Sequence, residues 1–329
     1  MAIIGTKNEQ GAYPVIAFQE SQTWACPVAM EAIVYVIGAG GSGAAIGPSY
    51  HDSRNATGGG AGGCAVSRLS LAAQNYTVTI GSGGDHKNSH AQDGDDGGDS
   101  SFSGTGITTM TGSGGSGGTQ GSSAQTGAGG GSASGGNLMN NTGGAGGTNT
   151  SAADRVSGGG AVNLYGSNVT GEGESSYFPY GGAPQGISVE GNRDTSILGT
   201  QTSGQKRNTG IALSFFPNNI THTSGFWNTS NAVDTGSYGI GSTPAQIYSG
   251  HAHGIATYTY NNRLALTQFA GPFCGGQGLR SSAGSTEAYA QSGGVGAGGG
   301  ACMNNGNQEY GNSGCGGSGL ILIFPIQLG

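Results

Sequence analysis

Charged residues are scarce in this chain: Asp, Glu, Lys and Arg make up 8% of its 329 residues, against about 25% in ordinary globular proteins. The 10 basic residues form no stripe that could neutralise phosphates, so nucleic acid is not a predicted partner. Apolar runs are too short to span a bilayer, and no membrane insertion is predicted. The first residues lack the pattern of a secretory signal peptide, so we expect synthesis in the cytoplasm without export.

Helical patterns and proline are also rare. Glycine accounts for 73 residues, and one Gly inside a helix costs about 1 kcal/mol relative to Ala, so helix is the least expected state. Only 9 prolines and no strict glycine triplet exclude a collagen helix. Disorder is the more serious alternative for Gly/Ser-rich tracts. The depletion of Lys, Glu and Pro, and apolar strands at both ends, favour an ordered chain.

Cysteine occurs five times, and no two cysteines form a C-x-x-C pair. The odd number and the spacing argue against a zinc ribbon or a redox motif. We predict buried, reduced thiols, and a single disulfide is the alternative. The five are Cys26, Cys64, Cys274, Cys302 and Cys315.

Short segments between the glycine tracts have strand character. An Asn261-Asn262 loop predicts a hairpin over residues 255–269, since Asn tolerates positive φ. Elsewhere β-branched residues and period-two alternation predict strands over residues 15–18, 22–26, 32–37, 64–71, 76–80, 101–102, 107–110 and 320–326.

The glycine tracts have the length of two or three turns of polyproline II, which rises about 3.1 Å per residue and makes no internal hydrogen bonds. Ordering a residue costs about 1–2 kcal/mol, and Gly loses the most freedom. Only dense mutual hydrogen bonding offsets this cost, so we expect the tracts to assemble as one lattice. They cover residues 38–47, 58–63, 112–118, 127–136, 143–147, 158–160, 294–300 and 314–319.

Composition divides the chain into four parts. Residues 1–12 are predicted to be an attachment tail, and residues 13–186 form the first part of a glycine-rich domain. In residues 187–290 glycine thins out and aromatics rise, which predicts an inserted β-rich subdomain or a set of long loops. Residues 291–329 supply the closing tracts and the last strand.

The order of several motifs resembles the glycine-rich domain of phage tail-fibre proteins and the tip adhesins of T-even-type phages. The resemblance implies a mostly β and polyglycine II fold: a small β-sheet joined to a packed bundle of glycine-rich polyproline-II-like helices, here with an inserted β-rich segment. The motifs are Trp24-Ala-Cys-Pro27, the Gly-Ala-Gly-Gly-Ser-Gly of 38–43, the Gly-Gly-Cys-Ala-Val of 62–66, the Tyr-Thr-Val-Thr-Ile-Gly of 76–81, residues 97–103 and residues 316–323.

The same resemblance implies a virion fibre or adhesin that binds a host-surface glycan or outer-membrane protein. Within the particle, its implied partners are other fibre or baseplate proteins. A structural decoration or head-fibre protein without a receptor site is the alternative. The sequence leaves open whether one chain closes the sheet or three chains do so as a homotrimer. We expect no enzymatic activity. A depolymerase would need paired carboxylates, and the acids of the aromatic segment are only Glu190, Asp194, Asp234 and Glu287.

Aromatic side chains are the predicted receptor contacts, because Trp and Tyr offer a large, stiff contact area with a polar group. Packing of these rings against one another is the alternative. The candidates are Tyr177, Phe178, Tyr180, Phe226, Trp227, Tyr258 and Tyr260.

Three further motifs suggest ligand chemistry. Asp93, Asp95 and Asp99 could form a calcium loop, although the spacing fits no EF-hand and a solvated acidic loop is the alternative; no other cofactor is predicted. Residues 38–43 match G-x-G-x-x-G, but Pro48 leaves no room for the helix that a dinucleotide site needs. The histidines are interpreted as surface groups and not as a zinc site; they include His51, His86, His90, His251 and His253.

Overall fold

The computed structural model describes residues 13–47, 54–88, 91–150, 155–164, 170–171, 173, 181–182, 258–260, 263–265, 273–281, 287–304 and 311–328. These residues form the strands β1 Ile16–Phe18, β2 Gln22–Ala25, β3 Met30–Ile37, β4 Ala45–Ile46, β5 Asn55–Ala56, β6 Cys64–Leu71, β7 Asn75–Thr79, β8 Ala91–Gln92, β9 Ser100–Ser103, β10 Met110–Gly112, β11 Gln120–Gly121, β12 Ala133–Ser134, β13 Met139–Asn141, β14 Arg155–Val156, β15 Tyr258–Tyr260, β16 Arg263–Ala265, β17 Leu279–Ser281, β18 Glu287–Tyr289, β19 Cys302–Asn304, β20 Gly311–Asn312 and β21 Leu320–Leu328.

The predicted packed bundle of polyproline-II-like helices is wrong. The strands form five β-sheets, and no described residue lies in a helix. The reason is that the glycine segments run directly into β-strands at their ends, so ladders between strands organise the chain. Within the described ranges there is accordingly no helix that could cross a membrane.

Two antiparallel five-stranded sheets pack face to face. We call β1-β21-β3-β6-β13 the inner sheet, β12-β10-β9-β7-β2 the outer sheet, and the pair the sandwich. In β3, alternate side chains point to opposite faces, as expected for a strand. Met30, Ala32, Val34 and Val36 face the outer sheet, while Ile33, Tyr35 and Ile37 pack on the other side. The inner sheet is therefore covered on both faces.

Aromatic rings fill much of the space between the two sheets. Trp24 lies 5.7 Å from Phe18, measured between ring centroids. Tyr76 stacks on Phe102 at 5.2 Å, and all four rings are buried. Such rings bury large apolar areas, so they stabilise the sandwich as a conventional hydrophobic core does.

Some glycine-rich segments continue directly from the strands of the sandwich. The others run beside these segments. We call these segments together the glycine lattice: residues 38–44, 57–63, 81–87, 93–99, 113–119, 127–132, 143–148, 157–161, 274–278, 291–301 and 313–319. They exchange backbone hydrogen bonds throughout. The mutual bonding that ordered glycine requires is thus present, although the segments are not helices.

Three small sheets lie at the end of the glycine lattice that is opposite the sandwich. Their orders are β17-β19-β4-β8, β11-β5-β14 and β15-β16-β18-β20. For example, β4 follows segment 38–44 directly, and β5 directly precedes segment 57–63. We call this region the far end. In sequence, the connections 48–53, 282–286 and 305–310 fall between strands of these sheets, after β4, β17 and β19 respectively.

Most of the predicted strands are confirmed, and the one predicted at 107–110 begins only at Met110. The hairpin is confirmed too, because β15 pairs with β16 and Tyr260 lies opposite Arg263, which leaves a two-residue connection. Of the residues assigned to the insert from composition, 274–278 belong to the lattice, and 279–281 and 287–289 form β17 and β18 of the far end. Gly276 N–H, for instance, donates to Gly298 O at 2.8 Å.

Candidate functional site

Segment 38–43 lies at the centre of the glycine lattice. Its N–H groups donate to three neighbouring segments in turn, and every third residue returns to the same neighbour. The donors are paired with carbonyl oxygens as follows: Gly38 with Gly63, Ala39 with Gly98, Gly40 with Gly317, Gly41 with Gly60, Ser42 with Asp95 and Gly43 with Gly314, at 2.8–3.0 Å.

The carbonyl groups of the same segment accept from three other neighbours. Gly115 and Gly118 donate to Ala39 and Ser42, Gly299 donates to Gly41, and Gly84 donates to Gly40. Six segments therefore surround this one, and its residues are fully enclosed. Such a network fixes the backbone far more tightly than a surface loop.

The enclosed glycines are required by close approach of neighbouring backbones. A Cβ added at Gly41 would lie 2.1 Å from the carbonyl oxygen of Ser116. One added at Gly40 would lie 2.0 Å from the carbonyl oxygen of Ala297. No side chain fits at either position unless two segments separate.

The same hydrogen bonds show that the G-x-G-x-x-G motif at 38–43 is not a dinucleotide site. A dinucleotide site needs free N–H groups at the start of a helix to hold the pyrophosphate. Here each of these N–H groups already donates to another segment, and β4 follows in place of a helix. The motif is a piece of the scaffold.

Three aspartates form a ladder along the lattice surface, which we call the aspartate ladder. Segments 93–99 and 113–119 run antiparallel, and each aspartate carboxylate accepts from a backbone N–H across the gap. The pairs are Asp93 with Gln120 at 2.8 Å, Asp96 with Gly117 at 2.7 Å and Asp99 with Gly114 at 2.9 Å. The side chains thus take the place of a missing neighbouring segment.

This arrangement separates the predicted calcium ligands. Asp93 and Asp99 each hold an N–H group at opposite ends of the ladder, and Asp95 instead pairs with Lys87. In the part of the chain that the structure describes, no group of three His, Cys, Asp or Glu side chains could hold a metal ion. The structure therefore does not bring the three candidates together as a ligand set.

Polar side chains close the lattice at its far end. Asn55 Nδ2 donates to Ser123 O at 2.9 Å, and Asn149 Nδ2 donates to Ala56 O at 2.8 Å. The Ser157 hydroxyl accepts from Gly58 N–H and donates to Gly147 O. Buried amides and hydroxyls are stable only when hydrogen-bonded, so these contacts fix how the segments line up at this end.

Five of the seven predicted receptor contacts fall outside the described residues. Tyr177, Phe178, Tyr180, Phe226 and Trp227 all lie there, so their role stays a prediction. Tyr258 and Tyr260 are the two ends of β15, paired with Ala265 and Arg263. His51, His90, His251 and His253 also lie outside the described ranges.

All five cysteines are free, so the prediction of reduced thiols is confirmed, and four of them are buried as expected. Burial raises the pKa of Cys64, Cys274 and Cys302 to about 12. It also raises the pKa of Cys26. The exception is Cys315, which is only partly buried.

Cys315 has a partner that the sequence did not reveal. Its Sγ lies 3.9 Å from Nδ1 of His86, within hydrogen-bonding distance for sulfur. The two residues are 229 positions apart, and each sits in a glycine-rich setting without a recognisable motif. Only the pairing of segments 81–87 and 313–319 brings them together.

One comparison with known families is positive. The chain matches the family described as "Glycine-rich domain" over residues 17–261, about three-quarters of its length. No curated protein is similar enough to count as a relative.

Proposed function

The chain belongs to the glycine-rich domain family, and on that premise we propose that it is a surface adhesin of a bacteriophage particle. It would bind a glycan or an outer-membrane protein of the bacterial host. The observation that carries the proposal is the polarity of the described residues, with the sandwich at one end of the glycine lattice and the three small sheets at the other. In sequence, the connections 48–53, 282–286 and 305–310 fall between strands of these small sheets. Recognition residues typically occur on loops held by a rigid scaffold.

The stiffness of the lattice supports this role. Segment 38–43 is enclosed by six others and cannot move without breaking many hydrogen bonds at once. Connections held by such a scaffold lose less conformational entropy on binding than connections on a mobile one. A chain with few apolar residues can in this way present binding loops without a large hydrophobic core.

The opposite end is suited to attachment. The predicted tail, residues 1–12, directly precedes the segment that leads into β1 of the inner sheet. Fibre or baseplate proteins of the particle are the proposed partners at this end. The far end would then face away from the particle.

Residues 183–257 are the segment to remove in a test. Gly182, which precedes them, donates its N–H to Gly159 O and accepts from Gly275 N–H, both at 2.9 Å. Tyr258, which follows them, begins β15. Replacing 183–257 by a flexible Gly/Ser linker therefore leaves every described strand in place, whereas removing 187–290 would delete β15 to β18.

We expect particles with this replacement to assemble and to lose adsorption to host cells, while the purified protein still unfolds cooperatively. As a matched control, a peptide tag inserted beside Gly106, in an exposed turn of the outer sheet, should leave adsorption unchanged. Normal adsorption by particles lacking 183–257 would refute a receptor site in this segment, and with it the proposed roles of Phe226 and Trp227. Particles that fall apart before adsorption would instead indicate a structural decoration protein.

A further inference from the structure

Cys315 and His86 form a thiol–imidazole pair on the surface of the glycine lattice. Their Sγ and Nδ1 atoms are 3.9 Å apart, His86 is exposed and Cys315 is partly exposed. A nucleophile within hydrogen-bonding reach of a base is the arrangement that activates thiols for substitution. The adhesin role makes no use of this pair.

The backbone on both sides of the pair is fixed. Cys315 N–H donates to Ser292 Oγ at 3.1 Å, and Cys315 O accepts from Gly293 N–H at 2.9 Å. Next to His86, Lys87 N–H donates to Ser313 Oγ at 2.9 Å. The backbones that carry the sulfur and the ring are therefore held in position by neighbouring segments.

The Cys315 sulfur is the most accessible of the five, and its neighbours in the chain have no side chains. Gly314 precedes Cys315, and Gly316 and Gly317 follow it. The other four thiols are buried, and burial raises the pKa of three of them to about 12. Since the thiolate is the reactive form, those buried thiols are inert at neutral pH.

We propose that Cys315, assisted by His86, is a site of thiol–disulfide exchange with low-molecular-weight disulfides. His86 takes the thiol proton as the Cys315 sulfur attacks one sulfur of the incoming disulfide. The S–S bond of that disulfide breaks, and its electron pair leaves with the second sulfur, which takes the proton from the imidazolium. Cys315 ends in a mixed disulfide and one thiol is released, so the oxidation of Cys315 balances the reduction of the leaving sulfur.

The test uses the intact protein and an aromatic disulfide, dithiobis(nitrobenzoic acid), whose released thiolate is coloured. We expect one equivalent from the native protein and five after denaturation, because one of the five thiols is accessible. Cys315→Ser should abolish the native reaction. His86→Asn should slow it about threefold or more at neutral pH, because the ring that takes the thiol proton during attack is lost. Above about pH 9.5, where ordinary thiols are ionised, the difference should vanish.

Asp85→Asn is the matched control, since Asp85 is an exposed residue of the same segment, and it should react as the unmodified protein does. Equal rates for the native protein and His86→Asn at every pH would overturn the assistance by His86. A native reaction that survives Cys315→Ser would overturn the site. Both variants change surface groups, so an unchanged melting temperature will establish that each is folded.

Discussion

The sandwich and the glycine lattice bury their backbones in opposite ways. In the sandwich, side chains such as Val34 and Phe102 separate two sheets and are themselves buried. Burial of apolar surface stabilises such a core by about 25 cal/mol per Å². In the lattice the backbones touch one another, and a carbonyl oxygen occupies the space where a side chain would lie. Its stability comes from hydrogen bonds, each worth about 0.5–1.5 kcal/mol net, supplemented by weak Cα–H···O contacts.

This difference determines what each region tolerates. A hydrophobic core accepts changes of shape when the total volume is kept, because neighbouring side chains rotate to fill the space. At the enclosed glycines, neighbouring lattice segments present backbone atoms, which cannot rotate away, so one extra methyl group must push two backbones apart. The lattice should therefore be sensitive to additions, and the sandwich to deletions.

Gly41→Ala is the change that tests this contrast most strongly. The new Cβ would lie 2.1 Å from the carbonyl oxygen of Ser116, which is backbone and cannot rotate away. We expect a loss of about 4 kcal/mol or more in the free energy of unfolding, or failure to fold. Urea unfolding followed by circular dichroism measures the loss.

Gly129→Ala is its matched control in the same lattice. Gly129 is exposed, and the nearest atom to its added Cβ is Ser116 Oγ at 3.9 Å. Stability should be unchanged or rise by up to about 1 kcal/mol, because alanine restricts the unfolded chain. Equal losses at Gly41 and Gly129 would show that close approach of backbones does not limit the lattice.

The sequence predicts the sandwich better than the lattice for the same reason. Alternation of apolar and polar residues predicts strands, and it correctly predicts β3, β6 and β21. The hairpin of β15 and β16 followed from its Asn-Asn loop. Glycine residues have no side chains, so the sequence of a glycine-rich segment does not indicate which other segments it will contact. Their helical bundle was consequently predicted wrongly.

Met110→Ala tests the sandwich side of the contrast. Met110 is fully buried between the sheets, and truncation leaves a cavity, so we expect a loss of about 3 kcal/mol. Met110→Leu keeps most of the volume and should cost less than about 1.5 kcal/mol. Urea unfolding of both variants checks the pair. Similar losses for Ala and Leu would mean that the core is as intolerant of shape as the lattice.

Side chains at the edges fix how the lattice segments align, and these contacts join residues far apart in the chain. The aspartate ladder joins segments 93–99 and 113–119, and Ser157 links Gly58 to Gly147. In the sequence these aspartates suggest a calcium site, because acidic residues on a glycine-rich loop are typical both of calcium ligands and of acceptors for backbone N–H groups. Only knowledge of the opposite segment distinguishes a ligand from a hydrogen-bond acceptor.

Cys64 lies where segment 57–63 of the lattice becomes β6 of the sandwich, and its ionisation probes that junction. Burial raises its pKa from 9.0 to about 12. Between these two values the folded protein holds a proton that the unfolded chain has lost, so stability is full below pH 9 and falls as pH rises toward 12. At pH 10, one unit above the ordinary pKa of the thiol, this effect lowers the free energy of unfolding by about 1.4 kcal/mol.

The comparison to make is the difference in unfolding free energy between pH 8 and pH 10. We expect Cys64→Ala to reduce that difference by about 1.4 kcal/mol relative to the unmodified protein. Gly129→Ala is the control, since it changes no titratable group at an exposed, open position, and it should leave the difference unchanged. An unaltered pH dependence in Cys64→Ala would show that water reaches the junction.

Asp96→Ala should have the smallest effect, because it removes a contact at the surface of the lattice. The Asp96 carboxylate is exposed and accepts from Gly117 N–H at 2.7 Å. Water can replace it, so we expect a loss of about 0.5–1 kcal/mol in urea unfolding. Asp96→Asn, whose amide oxygen still accepts a hydrogen bond, should lose less, and Asp85→Ala nothing measurable. If Asp96→Ala costs as much as Gly41→Ala, the lattice depends on its edge contacts as strongly as on close backbone packing, and the distinction between its interior and its surface fails.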